Sequence, residues 1–243
     1  MRFAGKQVVI IGGNSGIGRA AAEAFAAEGA ALVICGRDQA TLAETAAATG
    51  ARAVRADIAD LASLDAFYAG IEGIDVLVVN AGGGKFVPFA DLTPEDWDSV
   101  QQVNLRGCVF AAQKALAKLK DGGAILFTGS IGAVLALPGN AAYAASKAGL
   151  RAAARVLGAE LVGRGIRVNM VSPGPIETAI MHRGGMSQEQ IAGLRQMMIA
   201  NIPMHRMGEA SEVARAILFL ASDEASFING VDLFVDGGAV ELG

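Results

Sequence analysis

The stretch QVVIIGGNSGIG, residues 7–18, joins two structural periods across a glycine turn. Val8 to Ile11 form a short, wholly β-branched apolar run, the pattern of a strand buried on both faces of a parallel sheet. Gly12 and Gly13 end it, and a helical pattern runs from Gly18 to Glu28. Glycines at 12, 16 and 18 let backbone approach a pyrophosphate, and the helix start that follows offers N–H groups with no acceptor of their own. Asn14, Ser15 and Ile17 complete the turn. The spacing is GxxxGxG and not the literal GxGxxG of dinucleotide folds, and a glycine-rich turn without a ligand would read the same way. The rest of the chain has to decide.

Working outward, the same alternation recurs. Apolar runs predict strands at 7–11, 31–35, 53–56, 76–80, 124–128, 168–172 and 232–235. Helical patterns lie between them, among them 18–28, 39–48, 94–119, 142–162 and 211–222. Repeated strand–helix order with two-faced apolar strands predicts an α/β fold: a doubly wound parallel sheet of about seven strands, a Rossmann fold, in a single domain spanning 1–243. One segment breaks the rhythm. Residues 175–207 are rich in Gly and Met and predict a flap with short helices of its own.

Bulk composition narrows the partners. The chain has 243 residues, 53% of them hydrophobic, and a formal charge of −4, which argues against a nucleic-acid surface. Cys35 and Cys108 form no CxxC and read as inert core thiols in a reducing compartment. No run is long and apolar enough for a membrane span, so a soluble, cytoplasmic protein is expected. His182 and His205 have no partner at metal spacing, and no metal site is expected.

In an open parallel sheet, ligands sit beyond the carboxyl ends of the strands. After the second strand comes CGRD, residues 35–38: Arg37 suits a ribose 2′-phosphate, which favours NADP(H) over NAD, and Asp38 suits a helix N-cap. After the third, Asp57 and Ile58 could meet an adenine, although a turn Asp satisfying its own backbone reads equally well. After the fourth, Asn80 and Gly82 make a turn where a ribose could lie, or a purely structural one. TGS, residues 128–130, follows the fifth strand and SPGPIET, residues 172–178, the sixth.

Tyr143 and Lys147 stand four apart in YAASK, on one helical face. A cation about 4 Å from a phenol, at an effective dielectric near 20, favours its ionised form by roughly 4 kcal/mol. That is the scale a phenol needs to act as a general acid/base near neutrality. Ser130 could donate to the substrate oxygen as charge develops there, and Asn104 could hold a water that passes protons to Lys147. An ordinary amphipathic helix is the alternative, and the dinucleotide signals upstream weigh against it.

At these residues the sequence resembles the short-chain dehydrogenase/reductase family, over essentially the whole chain from GGNSGIG to VDGG at 235–238. It is most similar to bacterial NADPH-dependent carbonyl reductases and alcohol dehydrogenases. The resemblance implies a catalytic tetrad of Asn104, Ser130, Tyr143 and Lys147, with Tyr143 protonating the carbonyl oxygen, Ser130 orienting it, and Lys147 holding the nicotinamide ribose. It implies cofactor contacts through Gly12, Gly16, Gly18, Asp57 and Asn80, and through Pro173, Gly174, Ile176 and Thr178 beside the nicotinamide. The family's NNAG motif reads Val79-Asn80-Ala81-Gly82 here. It also implies an oligomer, usually a tetramer, for which residues 211–222 and the apolar tail near 240–242 could supply an interface.

Of eight methionines, six lie between Met181 and Met207. Flexible, polarisable side chains there, with Ile131, Leu135 and Leu137 beside the serine, predict a roomy apolar pocket for a bulky ketone or its secondary alcohol. Two alternatives stay open. One is a 3-oxoacyl-thioester reductase with a basic entrance from Arg183, Arg195 and Arg206. The other is a sensor that binds NADP without turnover.

Overall fold

The computed structural model of the chain describes residues 1–177 and 187–243. Seven strands form one parallel sheet: β1 (Gln7–Ile11), β2 (Ala31–Gly36), β3 (Arg52–Arg55), β4 (Ile74–Val79), β5 (Leu119–Thr128), β6 (Arg167–Pro173) and, last in the chain, β9 (Asp232–Val235). Their order is β3-β2-β1-β4-β5-β6-β9. A separate two-stranded pair joins β7 (Ile176–Glu177) to β8 (Gly208–Glu209). The helices are α1 (Gly16–Ala27), α2 (Gln39–Thr49), α3 (Leu61–Ala69), α4 (Pro94–Gln101), α5 (Cys108–Ala115), α6 (Ala141–Leu161), α7 (Gln188–Ala200) and α8 (Ala210–Ala221).

The strands are apolar on both faces because both faces are covered. Val9, Ile11, Leu77, Val79, Ile125 and Phe127 point into a core shared with α3, α5 and α6. Their neighbours Val8, Ile10, Val76, Val78 and Leu126 point into a second core with Ala21, Ala22 and Phe25 of α1 and Val213, Ile217 and Leu218 of α8. This is the period-two alternation of strands with an apolar environment on each side. Chain order reverses between β1 and β4, and that switch point opens a crevice at the strand carboxyl ends. Both cysteines are buried, and burial pushes their thiols up, to about 12 for Cys35 and about 11 for Cys108.

Two expectations need correction. The helix expected over 94–119 is broken: α4 passes into a π-helical turn, Gln102–Gly107, before α5 begins. Gly107, at the end of this turn, packs closely: a Cβ there would lie 2.6 Å from Ile58 O. Leu119 belongs to β5, which starts well before the apolar run at 124; Leu119 pairs with Ile74 and a register shift follows. In the 175–207 segment, Thr178, Met181, His182, Arg183 and Met186 lie outside the described residues. Its described part comprises β7 and α7, the latter entered through a Ser187/Gln190 capping box.

Candidate active site

A cleft of about 910 Å³ runs along the strand carboxyl ends from β3 to β6. It is lined by Gly12, Asn14, Ser15, Gly16 and Ile17 of the glycine turn, by Arg37, Asp57 and Ile58, by Asn80 and Gly82, by Ser130, Tyr143 and Lys147, and by Pro173, Gly174 and Ile176. The expected residues therefore share one cavity, with Gly18 and Asn104 outside its lining and Thr178 outside the described residues.

At the pyrophosphate end, Gly12 has φ +78° and Gly16 φ +51°, left-handed values that favour glycine. Ser15 is the N-cap of α1 but its side chain makes no capping bond, so the first-turn N–H groups remain open toward the cleft. A helix start of this kind holds anions. Gly18 sits behind the turn: a Cβ there would lie 2.0 Å from Gly12 O and 2.6 Å from Asn80 Nδ2. It lets α1 pack on the turn and is not among the residues lining the cleft. Asn14 is fixed by donating from Nδ2 to Thr41 Oγ1 at 2.7 Å, and it packs where a Cβ on Gly36 would be, 2.2 Å from its Oδ1.

Arg37 is exposed at the far end, and Arg55 Nε donates to its carbonyl oxygen at 3.1 Å. Asp38 is the N-cap of α2, accepting from Thr41 N at 2.8 Å. Asp57 Oδ1 accepts from Ala59 N at 2.9 Å, the local turn bond, while the residue still lines the cleft. Asn80 is similarly engaged on both sides: Nδ2 donates to Gly12 O at 3.1 Å and Oδ1 accepts from Thr128 Oγ1 at 2.9 Å.

The other end carries the groups suited to proton transfer. Tyr143 and Lys147 lie on the same face of α6, with Lys147 Nζ 5.8 Å from the Tyr143 ring centroid. Lys147 is buried and its Nζ donates to Thr128 O at 2.8 Å. Ser130 Oγ accepts from Gly132 N at 3.0 Å, which caps the short turn after β5 and leaves the hydroxyl proton for another acceptor. Asn104 is fully buried on the π-helical turn. Its Oδ1 accepts from Gly83 N at 2.9 Å and its Nδ2 donates to Gly83 O at 2.7 Å and to Ser146 Oγ at 3.2 Å. The side chain thus holds the 82–84 turn against α6, with both Nδ2 protons engaged and one lone pair of Oδ1 left over.

Sequence reading gave no role to Thr128, Gly83 or Ser146, the residues that tie these groups together. Thr128 follows the apolar run of β5, and that position was its only available signal. Among the described residues no group of three or more His, Cys, Asp or Glu side chains could hold a metal ion. No described helix is long and apolar enough to cross a membrane.

With this geometry in view, comparison with known proteins is informative. The family model described as Enoyl-(Acyl carrier protein) reductase matches residues 11–240. D-threitol dehydrogenase of Mycolicibacterium smegmatis is 38% identical over 98% of this chain and 94% of its own length. The 3-oxoacyl-[acyl-carrier-protein] reductase FabG of Thermotoga maritima is 35% identical over 99% of this chain and 100% of its own. The solved structure of BdcA in complex with NADPH superposes with a TM-score of 0.89 at 35% identity, covering 98% of this chain and 95% of that one. A glycine turn at a helix start, a Tyr–Lys pair on one helical face and matches along nearly the full length agree, and the chain belongs to the short-chain dehydrogenase/reductase family.

Proposed function

We propose that the protein is an NADP(H)-dependent oxidoreductase that moves a hydride between the nicotinamide and a ketone or secondary alcohol. One observation carries the reading: Ser130, Tyr143 and Lys147 converge at one end of a cleft whose other end holds an open helix start and Arg37. The donor set fits a dinucleotide. First-turn N–H groups of α1 would hold the pyrophosphate, and the planar guanidinium of Arg37 would pair with a 2′-phosphate. The NADPH bound to the structural relative BdcA supports the same preference. When bound, the cofactor supplies or accepts the hydride.

This chain's own residues handle the oxygen. Ser130 and Tyr143 hold the carbonyl oxygen between their hydroxyls as negative charge develops on it. Tyr143 gives that oxygen a proton during reduction and takes it back during oxidation. The Lys147 ammonium, held by Thr128 O, stabilises the negative charge left on the phenol.

The apolar surroundings support a bulky substrate. Ile131, Leu137 and Phe86 line the cleft beside Tyr143, and an adjoining recess of about 420 Å³ is walled by Phe89, Leu135 and Leu137. Exposed Phe219, Phe227 and Leu242, near α8 and β9, support assembly of several copies, a tetramer by family analogy.

The FabG relative supports a second reading, reduction of a 3-oxoacyl thioester on an acidic carrier. The expected basic entrance argues against it: Arg195 pairs with Glu177, and Arg206 pairs with Glu212 at 2.7 Å. A panel of aryl ketones, small polar ketones and a 3-oxoacyl thioester, run with NADPH and with NADH, tests the proposal. It expects faster NADPH oxidation with aryl ketones than with the thioester. Absence of turnover on every ketone would overturn it.

A further inference from the structure

We infer that Gly84 determines which ketones fit: the aryl ring of a substrate lies on this glycine, between Phe86 and Tyr143, and the other substituent of the carbonyl carbon enters the apolar recess. The inference rests on the ketone-reductase reading and adds to it which arm goes where, and so which face of the ketone meets the nicotinamide.

The two edges of the Tyr143 ring have different neighbours. On one edge, Cε1 lies 3.3 Å from the point where a Cβ on Gly132 would stand, with Ser130 Oγ 3.3 Å and Asn140 Nδ2 2.9 Å from the same point. Asn140 and Leu137 line both the main cleft and the recess, so this edge leads into the recess. On the other edge, Cδ2 and Cε2 lie 3.5 and 3.8 Å from the point where a Cβ on Gly84 would stand, and Phe86 Cε2 is 3.5 Å from it. A ketone whose oxygen is held by Ser130 and Tyr143 therefore has one substituent on each side of the phenol.

The Gly84 side suits a flat ring. Gly84 lines the cleft and has no left-handed φ, and a methyl on it would meet both rings at ordinary contact distance. The backbone does not require glycine here; what the glycine leaves is room. That room is held in place, because Asn104 binds Gly83 through both N and O, and Val87 N donates to Gly139 O at 2.9 Å beyond Phe86. Phe86 is 67% exposed and makes no ring–ring contact among the described residues. Aromatic rings pair in offset or edge-to-face arrangements with centroids about 4.5–7 Å apart, and an unpaired ring at the mouth of a cleft offers a substrate that partner. A flexible alkyl arm suits the recess between Phe89, Leu135 and Leu137.

The test measures NADPH-dependent reduction of acetophenone and hexan-2-one by the wild type, Gly84→Ala and Gly84→Val, with the handedness of the 1-phenylethanol read by chiral chromatography. A methylene more or less in an apolar pocket corresponds to about 10-fold to 200-fold in kcat/KM. Gly84→Val should lower kcat/KM for acetophenone by that factor and Gly84→Ala by less. Hexan-2-one places only its methyl on the Gly84 side and should keep its wild-type value in both variants. A ring turned away from Gly84 has to enter the recess, which exchanges the two substituents about a pinned oxygen and presents the opposite face of the carbonyl. The 1-phenylethanol that Gly84→Val still forms should therefore be enriched in the enantiomer opposite to the wild-type product, a shift that a merely loosened fold does not produce. Equal losses on the two ketones, or an acetophenone rate and enantiomer ratio unchanged in Gly84→Val, overturn the inference and leave the reductase reading standing. Failure of the wild type to reduce either ketone overturns both.

Discussion

Lys147 Nζ donates to Thr128 O at 2.8 Å, joining α6 to the end of β5 directly behind the tyrosine. Thr128 passes the connection on through its hydroxyl to Asn80, and Asn80 through its amide to Gly12 O. Three strand ends are thereby tied together, from the proton-transfer groups to the glycine turn. Lys147→Met keeps the bulk and removes the donor and the charge. Tyr143→Phe removes only the phenolic hydroxyl. Each is expected to lower kcat by about 10²–10⁴-fold, the usual scale for general acid/base groups. NADPH affinity, read by fluorescence titration, should change less than threefold in Tyr143→Phe. Normal turnover by Tyr143→Phe would refute the assigned role.

The NADP(H) preference proposed above assigns the 2′-phosphate to Arg37. Hydrogen bonds to a charged group contribute about 1.5–3 kcal/mol, so Arg37→Ala should raise the KM for NADPH by roughly 10-fold to 100-fold. The KM for NADH should scarcely move, because the 2′-hydroxyl does not need the guanidinium. Equal effects on both cofactors in steady-state kinetics would show that Arg37 is a surface charge only.

Much of this was legible in the chain because the central strands β1, β2 and β4 are short apolar runs buried on both faces, and because the ligand-facing residues follow strand ends. What escaped had a different cause. The helix from Pro94 reads as one periodic stretch, since a single widened turn does not disturb an apolar pattern enough to show. Gly107, at the end of that turn, packs close to Ile58 O, and those two residues are far apart in sequence. The start of β5 was hidden by Lys120-Asp121-Gly122-Gly123, a polar, glycine-bearing run that is strand only because β4 lies beside it. Gly18 carried a motif signal, but the sequence could not say whether it faced ligand or backbone.

That last distinction can be tested. Gly18→Ala would place a methyl 2.0 Å from Gly12 O, and backbone cannot step aside cheaply. Overpacking of this kind costs about 1–3 kcal/mol. For a chain of this size each kcal/mol lowers Tm by about 2–4 °C, so calorimetry should find a drop of several degrees. A variant as stable as the wild type would mean that α1 is free to shift.

Asp232 on β9 shows proximity without alignment. Arg151 Nε lies 3.0 Å from its Oδ2, yet neither atom makes a directed hydrogen bond, and Ser172 Oγ is also unpaired. Burial therefore prevails and pushes the Asp232 carboxyl above its ordinary 3.8, with the poorly aligned Ser172 hydroxyl and the Arg151 charge nearby only partly offsetting it. A raised carboxyl favours the folded state while protonated and costs stability once pH rises through the folded value. Asp232→Asn should thus gain stability relative to the wild type near neutral pH, and the gain should vanish in acid below the ordinary value. Melting temperatures across that range check the sign; a difference that grows as pH falls would contradict it.

The π-helical turn has a consequence for how this chain tolerates length changes. An α-helix advances about 100° per residue, and the widened turn between Gln102 and Gly107 accommodates one residue more than regular winding would. Excising a single residue there would give an uninterrupted spiral and better backbone geometry. It would also swing Asn104 away from Gly83, release the 82–84 turn from α6 and loosen the wall beside Lys147. At this point in the fold, a shorter and more regular helix would yield a poorer catalyst.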